Sequence, residues 1–169
     1  MNNGAVVGLG LLLLNAVIAI TAPYVAPHDP FEMKGPSLSP PSADYVMGTD
    51  DLGRDCFSAF LYGARISLLI GASAAAASAT IGVLVGSLAG YFGHRVDDLL
   101  MRLTELFQIL PRLFLALVII AIFGTGVIKI IVVLGVLSWP IIARTVRAEF
   151  LSLKERQFVE AARAAGLGR

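Results

Sequence analysis

Long apolar runs alternate with short charged segments along the chain. Residues 4–21 and 66–93 contain no charged residue, and residues 103–143 are again mostly apolar. A helix needs about 20 apolar residues to cross the ~30 Å hydrocarbon core of a bilayer. The third run is too long for one crossing at about 1.5 Å per residue, and "FGTGVIK" at 123–129 supplies a turn within it. The pattern predicts four transmembrane helices, at residues 4–21, 66–93, 104–123 and 128–145.

The same pattern divides the chain into three segments. Residues 1–22 form the first span; a cleaved signal peptide is the alternative, but "MNNG" lacks its basic residues. Residues 23–64 are polar and hold most of the eight prolines, which predicts a loop outside the bilayer with one short helix. We expect Asp50 or Asp51 to cap that helix. Residues 65–169 contain the other three spans and a polar C-terminal segment.

Composition supports a polytopic membrane protein with an all-α fold. The chain is 57% hydrophobic and 15% charged, whereas soluble domains carry about 25% charged residues. The net charge of +1 is uninformative about nucleic acid, but the lack of a basic stripe with interleaved aromatic residues argues against nucleic-acid binding. Cys56 is the single cysteine, and His28 and His94 are isolated, so we expect no metal and no cofactor.

Basic residues predict the orientation of the spans. Eight of them fall on one side of the predicted bilayer and four on the other, so the positive-inside rule places residues 94–102 and the C-terminal segment in the cytoplasm. The cytoplasmic set is Arg95, Arg102, Arg144, Arg147, Lys154, Arg156, Arg163 and Arg169; the outer set is Lys34, Arg54, Arg65 and Lys129. Arg112 follows Pro111 at the edge of the third span, and we favour a side chain that reaches the cytoplasmic interface over one buried beside a partner.

Small residues mark one face of the second span. Gly82, Gly86 and Gly90 recur at every fourth position, which lets another helix approach closely. This spacing predicts tight helix packing and carries no information about a cargo. The serines of the same span lack a nearby histidine or lysine, so an enzymatic function is not expected.

The polar C-terminal segment reads "RTVRAEFLSLKERQFVEAARAA" over residues 144–165 and is rich in strong helix formers. Gly166 follows and is expected to end the helix. Apolar side chains such as Phe150 and Phe158 remain to be covered. Either a groove in a partner protein or the lipid headgroups could cover them.

Several motifs resemble one family. "EAARAAG", Glu160 to Gly166, resembles the Glu-Ala-Ala-x-x-x-Gly signature of bacterial ABC-importer permeases. "MGTDDLGRDCFSAFLYGARISLLIG" is similar to the Gly-Thr-Asp-x-x-Gly-Arg-Asp segment of the dipeptide, oligopeptide and nickel permeases. "LAGYFGHRVDDLLMRLTELFQILPRLFLAL" and "LSWPIIARTVRAEFLSLKERQFVEAARAAG" also match in order and spacing. The resemblance runs from about Asp29 to the end and points to a C-type permease subunit.

The resemblance implies a MetI-like transmembrane helical bundle in the bacterial inner membrane, with residues 65–169 as its permease core. It implies a second permease subunit, cytoplasmic ATP-binding subunits and a periplasmic substrate-binding protein as partners, besides membrane lipid. Glu160 would contact the ATPase, Ala161 and Ala162 would allow close approach, and Gly166 would permit a sharp turn. These residues would couple ATP hydrolysis to transport.

The loop motif leaves two alternatives open. Asp50, Asp51, Arg54 and Asp55 would contact the periplasmic binding protein or the second permease, or they would form a self-contained turn held by Asp–Arg pairing. Ala59 departs from the arginine that the family usually has at this position, which weakens the case for a fixed charge network.

The family has six spans, whereas four are predicted here, and the signature would continue beyond Arg169. We therefore expect a fragment or a truncated product. No G-x-x-x-x-G-K-[ST] motif is present, so ATP hydrolysis is expected in partner subunits. A fragment of a secondary transporter or channel, or an inactive truncated paralogue, is the alternative function. The motifs do not distinguish dipeptides, oligopeptides and nickel as cargo.

Overall fold

The computed structural model describes residues 3–109 and 111–166, and the side chains of Arg112, Ala162 and Arg163 lie outside this description. Within that part of the chain there are six helices, and the extended backbone amounts to one isolated bridge between Thr49 and Asp55. The helices are α1 (Asn3–Val25), α2 (Cys56–Phe92), α3 (His94–Ile109), α4 (Arg112–Phe123), α5 (Val127–Lys154) and α6 (Gln157–Ala164). The predicted all-α fold is confirmed.

Three of these helices, α1, α2 and α5, are long and apolar enough to cross a membrane, and the count rises to four if α3 and α4 form one broken span. The predicted span at 104–123 is therefore not one straight helix, because α3 and α4 meet at an angle of 83°. Proline explains the break, since Pro111 has no N–H to donate and its ring clashes with a preceding carbonyl. The predicted charged break at 94–102 is helical as well and forms most of α3. The interfacial position predicted for the Arg112 side chain lies outside the described residues.

The chain forms two compact units, Met1–Gly71 and Ala72–Arg169. In the first unit, α2 begins at Cys56 and continues without interruption past the predicted segment boundary at residues 64 and 65. The expected cap was assigned to the wrong aspartate. Asp55, the residue directly before α2, accepts hydrogen bonds from the backbone N–H groups of Phe57 and Ser58, both at 3.2 Å. This is the geometry of an N-cap.

In the second unit, the glycine face of α2 lies directly against α5. A Cβ atom added to Gly82, Gly86 or Gly90 would lie less than 3.0 Å from Ile142, Val146 or Phe150, respectively. Each of these glycines faces the residue sixty positions later in the chain. Because the paired positions advance in the same direction, α2 and α5 run parallel. Gly135 repeats the pattern from the α5 side, since its added Cβ would lie 2.9 Å from Ala77.

Helices α3 and α4 lead the chain from the end of α2 back to the start of α5. Asp97, near the start of α3, contacts Arg147, whereas Phe107, near its end, contacts Trp139 with ring centroids 5.4 Å apart. The partners of α3 thus occur in decreasing order along α5, so α3 runs antiparallel to α5. The chain must return to the start of α5 before α5 can run parallel to α2. This geometry favours counting α3 and α4 together as one crossing.

The glycine contact gives a test of the fold. Gly86→Leu in the full-length protein should lower the free energy of unfolding by about 1–3 kcal/mol, because an enlarged side chain overpacks a close helix contact. Gly63→Leu is the matched control, since an added Cβ at Gly63 meets nothing within 4 Å. Thermal unfolding of both purified variants in detergent measures the difference, and equal melting temperatures would contradict the α2–α5 contact.

Candidate functional site

The first candidate region is the acidic turn, residues 48–55. The Asp50 carboxylate accepts hydrogen bonds from the N–H groups of Leu52 at 2.9 Å and Arg54 at 2.8 Å, and from Arg54 Nε at 2.7 Å. These bonds, led by the one from the Arg54 backbone, hold the pKa of Asp50 below its ordinary value. Asp50 and Arg54 therefore form the expected ion pair with each other, within a single turn of the chain.

Backbone hydrogen bonds from residues 35–38 hold the acidic turn in place. Gly35 donates its N–H to the carbonyl of Gly53 at 2.9 Å, and Leu38 donates to the carbonyl of Asp50 at 2.9 Å. Gly53 has φ +74°, and a Cβ there would overlap the Gly35 carbonyl oxygen. Glycine is needed at this position both for the left-handed backbone and for the close approach.

Asp55 ends the acidic turn and lies inside the protein, with 1% of its surface exposed. Its carboxylate accepts a hydrogen bond from Ser58 Oγ at 2.6 Å, and His28 Nδ1 lies 3.5 Å away. Burial alone would raise the pKa of Asp55, but the hydrogen bonds from Ser58, Phe57 and His28 outweigh it and hold the pKa below the ordinary value. Asp55 is thus an ionised cap of α2.

These contacts describe the predicted outer residues as a self-contained turn. Asp50 and Arg54 pair with each other, and Asp55 is buried, so the exposed part of the turn is formed by Asp51 and Leu52. Contact with a periplasmic binding protein or a second permease stays a prediction.

The second candidate region is the last part of the C-terminal segment, residues 155–166. The helix predicted over residues 144–165 is interrupted, because α5 ends at Lys154 and α6 begins at Gln157. At the break, Glu155 and Arg156 donate their N–H groups to carbonyls three residues earlier, at 3.3 and 3.2 Å. Hydrogen bonds that span three residues instead of four are typical of a helix end. The sequence of strong helix formers gave no sign of this break.

Two of the four residues predicted to couple to an ATPase lie exposed on α6, namely Glu160 and Ala161. The side chain of Ala162 lies outside the described residues. Gly166 has φ +83°, and a Cβ there would meet nothing within 4 Å. The backbone conformation, rather than a lack of space, therefore accounts for glycine at this position.

An open concave surface lies at the α5–α6 break. It is lined by Ser152, Glu155, Arg156, Gln157 and Phe158. The Phe158 side chain is 63% exposed there. An exposed aromatic ring beside charged groups of both signs suits contact with another protein better than it suits catalysis.

The end of α5 is attached to the junction of α2 and α3 by contacts that the sequence did not reveal. Lys154 Nζ donates a hydrogen bond to the carbonyl of Tyr91 at 2.6 Å and lies 5.9 Å from the centre of its ring. Arg147 forms two hydrogen bonds with Asp97, one of them 2.6 Å long between Nη2 and Oδ2. Nothing in the spacing of the charges distinguished Asp97 from Asp98 as the partner.

Comparison with known proteins identifies the family. Residues 82–169 match the family described as "binding-protein-dependent transport system inner membrane component". This chain belongs to that family. Residues 1–41 match the N-terminal transmembrane domain of oligopeptide transport permease C. The resemblance drawn from the motifs is therefore confirmed, and the chain is a permease component of the bacterial inner membrane with several membrane-spanning helices.

Curated relatives match along nearly the whole permease chain. It is 42% identical to the di/tripeptide transport system permease protein DppC of Pseudomonas aeruginosa over 99% of its own length and 57% of that protein. The dipeptide transport system permease protein DppC of Bacillus subtilis is 40% identical, and the match covers 98% of this chain and 52% of that protein. The dipeptide transport system permease protein DppC of Haemophilus influenzae is 35% identical, and the match covers 99% of this chain and 59% of that protein. The chain thus spans about half the length of these relatives.

The ionised cap predicts a pH dependence in the acidic turn. Because the folded-state pKa of Asp55 lies below its ordinary value of 3.8, its stabilising contribution is complete above pH 3.8 and is lost as the pH falls through the folded-state pKa. Asp55→Ala should remove this pH dependence and should lower the free energy of unfolding by about 1 kcal/mol at neutral pH. Hydrogen exchange of the Phe57 and Ser58 amides measures the local effect.

Asp51→Ala is the matched control for this experiment, since Asp51 is exposed and its described hydrogen bond uses only its backbone carbonyl. Exchange at Phe57 and Ser58 should stay at the wild-type rate in this control. Equal acceleration in both variants would exclude Asp55 as the cap.

Proposed function

We propose that this permease chain is part of an ATP-driven importer of short peptides and that its C-terminal segment receives movement from cytoplasmic ATP-binding subunits. The observation that carries this proposal is the similarity to dipeptide permeases over nearly the entire chain. The translocation path would form together with a second permease subunit, and a periplasmic binding protein would deliver the cargo. Nickel complexes are the alternative cargo within the same group.

The C-terminal segment has the features of a docking element. Helix α6 is short and exposed, and it carries Glu160 in its first turn, where a carboxylate interacts favourably with the helix dipole. The tight turn before it and the left-handed Gly166 after it separate it from the rest of the chain. In our proposal, Glu160 contacts the ATP-binding subunit, and Ala161 and Ala162 allow the close approach.

The acidic turn would have a passive part in this transporter. Because Asp50, Arg54 and Asp55 are occupied by contacts within the turn, they would fix the shape of the loop surface that meets the binding protein. The exposed Asp51 and Leu52 would lie at that contact.

This function requires the C-terminal segment to face the cytoplasm and the acidic turn to face the periplasm. The full-length protein, with Cys56→Ser as background, can carry one new cysteine at the exposed Ala43 or Ser152. In spheroplasts, a membrane-impermeant maleimide should label Ala43→Cys directly and Ser152→Cys only after permeabilisation. Direct labelling of Ser152→Cys with protection of Ala43→Cys would reverse the orientation and refute the proposal.

Coupling can be tested in the full-length chain reconstituted with its partner subunits. Gly166→Val should reduce the amount of peptide imported per ATP hydrolysed by about tenfold, since a β-branched residue strains a left-handed backbone by an energy on the order of 1–3 kcal/mol. Gly166→Asn is the matched control and should keep most of the coupling, because asparagine tolerates this conformation.

Charge reversal gives the second half of this test. Glu160→Lys should uncouple ATP hydrolysis from uptake, whereas Glu149→Lys, on an exposed position of α5, should not. Uptake should also persist when the proton gradient is dissipated. Wild-type uptake that needs the gradient and no ATP would instead indicate a secondary transporter.

A further inference from the structure

We infer that the Asp97–Arg147 ion pair transmits movement of the C-terminal segment to α3, and that both residues are positioning residues for transport. The inference rests on the proposed function, because it assumes that α6 is displaced by an ATP-binding subunit. It concerns a different pair of residues and a different step, namely the passage of that displacement into the membrane helices.

The geometry of the pair is suited to this task. Arg147 donates from both Nε and Nη2 to the two carboxylate oxygens of Asp97. Two parallel hydrogen bonds fix the orientation of the groups as well as their separation. A rotation of α5 about its axis is therefore passed to α3 together with any translation.

Burial distinguishes this pair from the other ion pair between the same helices. The Asp97 side chain is 12% exposed and that of Arg147 33% exposed. Arg144 and Glu105 lie 4.0 Å apart with side chains 47% and 59% exposed. A loose, exposed pair contributes little and is easily replaced by water, so it serves as an internal comparison.

The end of α5 is also held at two positions after Arg147, which limits how far a displacement can be absorbed there. Phe150 packs on Gly90, and Lys154 is bonded to the carbonyl of Tyr91. Only two residues, Glu155 and Arg156, separate Lys154 from the start of α6. The start of α6 is therefore about three helical turns of chain from Arg147, and movement of α6 reaches Arg147 over this short distance.

The receiving side of the pair is equally constrained. Asp97 lies in the first turn of α3, which follows α2 after the single residue Gly93. Helix α3 is 16 residues long in total and ends at the break before α4, a length of about 24 Å at 1.5 Å per residue. Because a helix is stiff over this length, displacement of Asp97 changes the position of the break.

The test compares variants of the full-length chain, reconstituted with its partner subunits and binding protein, by the amount of a radiolabelled dipeptide imported per ATP hydrolysed. Asp97→Asn and Arg147→Lys should each lower this ratio by about tenfold, the order expected for a charged hydrogen bond. Arg147→Lys keeps the charge but cannot form two parallel bonds. Glu105→Gln is the matched control and should keep the wild-type ratio.

A second variant separates transmission from simple stabilisation. The exchange Asp97→Arg with Arg147→Asp restores the pair and should recover at least part of the lost ratio. A purely structural pair would lower the melting temperature and the yield of assembled transporter, but each assembled transporter would import the wild-type amount per ATP.

The outcomes distinguish the inference from the proposed function. If wild type imports and Asp97→Asn has the same ratio as Glu105→Gln, the ion pair does not transmit and the inference is wrong, while the proposed function stands. If wild type shows no ATP-dependent uptake of the dipeptide or of nickel, the proposed function fails and the inference fails with it.

Discussion

The direct contact between the backbones of α2 and α5 is the constraint on which the second unit depends. Gly82, Gly86 and Gly90 have no side chains, so Ile142, Val146 and Phe150 can lie against the α2 backbone. In a bilayer, lipid competes equally well for apolar side chains, and close packing of small residues supplies much of the helix association. The regular series of contacts also sets the register and the parallel direction of the two helices. The path of α3 and α4 follows from that direction.

The parallel register has a consequence at the junction of α2 and α3. The chain must reverse there, and it does so through two residues with positive φ, Gly93 at +65° and His94 at +46°. A positive φ is uncommon for a residue other than glycine, and histidine is one of the residues that adopt it more readily. The reversal places Asp97 next to Arg147 while Phe150 still contacts Gly90. The glycine contact and the ion pair are therefore parts of one arrangement, and neither can shift along α5 without the other.

The sequence was informative where hydrophobicity or backbone chemistry acts locally. Uninterrupted apolar runs predicted α1, α2 and α5, and a glycine at every fourth position predicted a close helix contact. It was not informative where the outcome depends on distant partners. Four aspartates lie in or near the loop motif, and Asp55 is distinguished from the others by a distant partner, because His28 Nδ1 lies 3.5 Å from its carboxylate. Pro111 lay inside a predicted span, so a break could be expected there. The 83° angle between α3 and α4 depends on how each helix packs against its neighbours.

The two parts of the C-terminal region differ in how their structure is maintained. Helix α6 has eight residues, and an isolated helix of that length is not stable in water. Its conformation must therefore depend on what it contacts. The preceding turns of α5 are held by Arg147, Phe150 and Lys154 against α2 and α3. In the proposed transporter, docking would order and orient α6 at little cost to the helices of the second unit. Force applied to the docked helix would, in contrast, act on a segment that cannot yield without moving its neighbours.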